Sequence, residues 1–121
     1  MAEIFDPQKA MASLRDWAIK LEEVGKRKIT AMVEYNFAQI KLMEKEQEAR
    51  KKIFEDKEDV QASKLRDWIK WICAEEELDA FRKECAYKEV RDEYDTIDRL
   101  ISVTQTATKL AEAEMRNLGI N

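Results

Sequence analysis

The sequence predicts an all-α protein, a long antiparallel helical hairpin with a coiled-coil-like seam, and three observations predict it. Only two glycines and one proline occur in 121 residues, so the chain has few places to turn. Charged residues make up 40% of the chain beside 45% hydrophobic ones, where an ordinary domain carries about 25% charged. Apolar residues recur at alternating spacings of three and four over stretches far longer than any strand.

Asp6-Pro7 is a helix entrance, with Asp as N-cap and Pro at the first helical position. Helix 1 is expected over about 7–53. Its seam is Ala10, Leu14, Trp17, Leu21, Val24, Ala31, Tyr35, Ala38, Leu42 and Ala49, interrupted by Lys28 and Lys45. A second stripe, Ile29, Val33, Phe37, Ile40 and Met43, runs beside the first, so the middle of the helix needs partners on two sides. Gly25 is either a tolerated interior glycine or the C-cap of a shorter first helix. Continuity is the favoured reading because the apolar phase is kept through it, while Lys26-Arg27-Lys28 just after it would suit a helix end.

The charge run Glu55-Asp56-Lys57-Glu58-Asp59 after Phe54 carries no apolar period, and the turn is placed at about 54–60. Asp59 or Ser63 would cap the next helix. Helix 2 is expected over about 60–118, carrying Leu65, Trp68, Ile69, Ile72 and Cys73, then Ala80, Tyr87, Val90, Tyr94, Ile97, Ile101 and Thr104. Glu75-Glu76-Glu77 and Lys83-Glu84 blur the period, so a kink or a locally exposed segment is expected near 75–85. Leu118-Gly119 supplies the stop. The tetrapeptide Leu14-Arg15-Asp16-Trp17 returns as Leu65-Arg66-Asp67-Trp68, either by coincidence of good helix formers or by duplication.

Helices of this length, ~65–70 Å and ~85–90 Å at about 1.5 Å per residue, touch along one line and leave most of their surface wet. Long helices of this kind gain stability by assembling into bundles of three or more. A homo-oligomeric bundle is therefore expected, with Leu14, Trp17, Leu21, Ile29, Val33, Phe37, Ile40, Tyr87, Tyr94, Ile97 and Ile101 as the self-association residues. Trp71 falls off the main phase of helix 2 and is the candidate contact for a partner protein.

The absence of histidine removes His-ligated haem and metal sites and Ser-His or Cys-His nucleophiles. No Gly-rich phosphate loop, serine elbow or Cys-x-x-Cys occurs. A non-enzymatic protein with no cofactor, no bound metal and no small-molecule substrate is expected. The clusters Glu75-Glu76-Glu77 with Asp79, and Asp92-Glu93 with Asp95 and Asp98, read as solvated helix faces. Lys and Arg number 22 against 26 Asp and Glu, and the pI is near 5.1. No segment is a basic tail, so single-stranded DNA would have to be met by local patches. The candidates are Lys26, Arg27, Lys28, Arg50, Lys51 and Lys52, which could line a track once repeated around a ring of subunits. Cys73 and Cys85 stand twelve residues apart, too far along one straight helix to bridge, and read as reduced thiols used as small apolar residues. The start Met1-Ala2-Glu3-Ile4-Phe5-Asp6 has no signal-like charge and apolar pattern, no apolar run reaches membrane-spanning length, and a cytoplasmic location is expected.

The order of a Trp-bearing first helix, the acidic Glu55-Asp56-Lys57-Glu58-Asp59 turn, Lys64-Leu65-Arg66-Asp67-Trp68-Ile69-Lys70 and the stretch from Tyr87 to Ser102 resembles small helical-hairpin proteins of bacteriophages. More distantly it is similar to recombination mediators of the UvsY type. The resemblance spans residues 8 to 117 and implies an oligomeric accessory factor in DNA recombination or replication, working through a partner protein and single-stranded DNA. The alternative is an anti-defence inhibitor or assembly adaptor acting through protein contacts alone.

Overall fold

The computed structural model describes residues 6–56 and 61–119. Among them are three helices and no strand: α1 (Pro7–Asp56), α2 (Ala62–Ile72) and α3 (Ala74–Asn117). Asp6 caps α1, its Oδ1 accepting from the backbone N–H of Gln8 at 3.0 Å and more loosely from that of Lys9 at 3.5 Å. The helix runs through Gly25 without interruption, and Gly25 has no positive φ. It also includes Phe54, Glu55 and Asp56, which the charge run had placed in the turn. Buried Ile53 anchors this last part of the helix, and a mixed-charge run can stay helical as readily as it can turn. The rest of the expected turn, 57–60, with the cap candidate Asp59, lies outside the described residues.

The single second helix expected over 60–118 is two helices. Its cap is Gln61, in extended conformation and without a side-chain hydrogen bond, and Ser63 sits inside the first turn. α2 gives way to α3 at Cys73, whose φ of −96° and ψ of 15° leave the helical region while its N–H still donates to the Ile69 carbonyl at 2.9 Å. Glu75, Glu76 and Glu77, which blur the apolar period, occupy the first turn of α3. There they meet the positive end of the helix macrodipole, so they act as a start signal. Residues 75–85 are helical throughout. At the far end Gly119 takes φ +71° and donates to the Arg116 carbonyl at 3.1 Å, which closes α3.

The chain forms two compact units, one of α1 through Arg27 with α3 from Val90, the other of residues 28–89. In the first unit Val24 and Ile97 are buried, and the ring of Tyr94 packs over Gly25. Arg27 grips Glu93 with one guanidinium nitrogen 3.0 Å from each carboxylate oxygen. Leu14, Trp17, Leu21 and Ile101 are half-buried.

In the second unit α1 pairs antiparallel with α2 and the start of α3. Glu34 meets Lys83 at 3.5 Å and the Tyr35 and Tyr87 rings stack at 6.2 Å, while further along α1 Ala49 and Ile53 cluster with Ile69 and Cys73. Leu42, Leu65 and Trp68 pack against that cluster. In both copies of the Leu-Arg-Asp-Trp tetrapeptide the Leu and Trp are half-buried and the Arg and Asp exposed. Among the described residues the buried hydrophobic set is Val24, Ala38, Ala49, Ile53, Ile69, Cys73, Ala80 and Ile97, and no polar or charged residue is buried as a whole. Three of the eight are alanines, so the interior is thin.

Candidate interaction surface

The second stripe of α1 faces away from the seam rather than running beside it, from about 100° around the helix at Phe37 to about 180° at Ile29, measured from buried Ala38. Ile40 lies two residues beyond buried Ala38 and Val33 five before it, about 140–160° around the helix at ~100° per residue. The seam residues Ala31, Tyr35, Leu42 and Ala49 are buried or half-buried. Ile29, Met32, Val33, Phe37, Ile40 and Met43 are 39–61% exposed. Six such side chains keep on the order of 100 Å² each, about 600 Å² together, as large as the biggest apolar patches of ordinary monomers. On the adjoining flank Tyr35, Gln39 and Leu42 of α1 face Ala74, Leu78 and Phe81 of α3 across an open hollow of about 630 Å³. Leu78 and Phe81 are 48% and 61% exposed. Sequence reading passed over this pair because the neighbouring glutamates hid their spacing of three.

The expected self-association residues thus fall into two groups. Ile29, Val33, Phe37 and Ile40 face solvent, whereas Leu14, Trp17, Leu21, Tyr87, Tyr94, Ile97 and Ile101 are buried or half-buried within the chain. Of these, Tyr87 stacks on Tyr35 and Tyr94 covers Gly25.

Trp71 is 82% exposed on the rim of a hollow of about 470 Å³ that it shares with Ile53, Asp56, Trp68 and Ile72. The six basic candidates are scattered in their contacts. Lys26 pairs with Glu22 and Lys52 with Glu48, each at 3.8 Å, and Arg27 is held by Glu93. Lys28 is half-buried on the seam. Arg50 parts from its triplet and joins Arg66 and Lys70 of α2 around a separate hollow.

The two cysteines differ in setting. Cys73 is 1% exposed, whereas Cys85 is exposed on α3 and does not act as a core residue. Burial, and then the carboxylates of Glu46 and Glu76 and to a lesser degree Glu77, push the Cys73 thiol above its ordinary 9.0, with Lys45 opposing them. At neutral pH it is a protonated, packed thiol and a poor nucleophile. The Glu76 Oε2 is itself buried without a hydrogen-bond partner. Among the described residues no three His, Cys, Asp or Glu side chains are grouped to hold a metal ion, and no helix is long and apolar enough to cross a membrane. Compared with models of protein families, with curated proteins and with solved structures, the chain matches none.

Proposed function

We propose that the protein is a non-enzymatic helical scaffold that works as a homo-oligomer, burying the outer stripe of α1 against a second copy. The observation that carries this reading is the exposed row Ile29, Val33, Phe37, Ile40 and Met43 on the side of α1 facing away from its buried seam. Together with Met32, two such faces paired across a two-fold axis would bury at most roughly 1,200 Å², the lower bound of a specific, stable interface. The resemblance in helix order adds the setting, an accessory factor of phage type in DNA recombination or replication. Its contacts are chiefly with protein. The basic triplets support a strand-binding role poorly, because Lys26, Arg27 and Lys52 are already engaged by Glu22, Glu93 and Glu48.

The test is the mass in solution of Val33→Lys/Ile40→Lys beside the parent chain, by light scattering after gel filtration. Charges on the outer face leave the seam untouched, so the variant is expected to keep its helical signal and run as a monomer. An unchanged oligomer would place the interface elsewhere.

A further inference from the structure

Where α1 passes α2, Arg50 stands across a hollow of about 300 Å³ from Arg66 and Lys70, with Leu65 and Ile69 as its apolar floor. Arg66 and Lys70 sit four apart on one face of α2, and Ala62, in the first turn, lines the same hollow. Among the described residues none of the three cations makes an ion pair or hydrogen bond, and Glu46 is the one carboxylate on the wall. Most cations among the described residues lack an ion pair, so what distinguishes these three is their grouping around one hollow. Here three like charges face one another with a single counter-charge. Gln61 leaves the α2 N-terminus without a side-chain cap, which adds unsatisfied N–H donors and the positive end of the helix to the same region.

From this arrangement we propose that the hollow formed by Arg50, Arg66 and Lys70 is an anion site that takes a phosphate group. Two guanidinium forks can each present parallel N–H donors to phosphate oxygens, and the ammonium of Lys70 supplies a third charge. The site lies apart from the outer stripe of α1, so it stands or falls independently of self-association. Its ligand chemistry is met by a free phosphate compound and by the backbone of a single-stranded nucleic acid alike.

The experiment is calorimetric titration of the full chain at about 50 mM salt with two probes, sodium pyrophosphate and an oligodeoxythymidylate of about fifteen residues, the affinity of either falling as salt rises. Arg66→Gln/Lys70→Gln is expected to weaken binding roughly tenfold or more, and Arg66→Lys, which keeps the charge and gives up the fork, only a few-fold. Lys51→Gln, outside the hollow, is expected to change it less than about twofold. Circular dichroism melts show that each variant is folded before it is titrated. Pyrophosphate binding alone would support a free phosphate ligand, and oligonucleotide binding, with or without pyrophosphate, a site for backbone phosphate. The proposal is overturned if neither probe binds, or if Lys51→Gln loses as much affinity as the double variant.

Discussion

Cys73 is where packing, backbone geometry and charge meet. Its side chain packs with Ala49, Ile53 and Ile69, its backbone leaves the helical region, and burial together with the charges of Glu46, Glu76 and Glu77 raises the pKa of its thiol. Because the folded thiol titrates above the unfolded one, the unfolded chain gives up this proton first as pH rises. The thiol's contribution is therefore fully present below its unfolded pKa and is lost as pH climbs through the folded value. Urea unfolding from pH 7 to above 9 should show the parent chain losing stability relative to Cys73→Ala at the alkaline end. Parallel curves would mean that burial does not control the thiol.

For the helices, the sharpest case is Gly25. It lies within continuous α1, and a Cβ built there would stand 3.4 Å from Tyr94 Cε2, at the near edge of ordinary contact. Gly25→Ala should therefore gain about 0.4–1 kcal/mol from the lower entropy of the unfolded chain, read as a rise of a few degrees in melting temperature. A fall would show that the tyrosine ring cannot give way. The long seam, the Asp6 cap and the Gly119 stop were legible because each depends on residues adjacent along the chain. The interruption falls at Cys73, just ahead of the 75–85 stretch where the glutamates blur the period. Its exact place was not legible, because buried Cys73 itself keeps the apolar phase. The cap at Gln61 carries no side-chain signal, and the hollow of Arg50, Arg66 and Lys70 exists only where two helices pass. The exposure of Leu78 and Phe81 was hidden by the charges around them.

For the whole molecule the decisive quantity is how much apolar surface the chain hides by itself. Among the described residues a buried set with three alanines in eight leaves little to offset the ordering entropy of over a hundred residues. Ile29, Val33, Phe37, Ile40 and Met43 meanwhile remain outside it. The doubled stripe was legible in the sequence, and the structure assigns its two halves: the seam faces the chain's own helices, the outer row faces solvent. What meets that outer row is decided in solution. Sedimentation equilibrium of the parent chain at micromolar concentration is the direct measurement. The account predicts a reversible oligomer of at least two copies, dissociating with dilution and losing thermal stability as it does so. A cooperatively melting 14.3 kDa monomer at every concentration would contradict it.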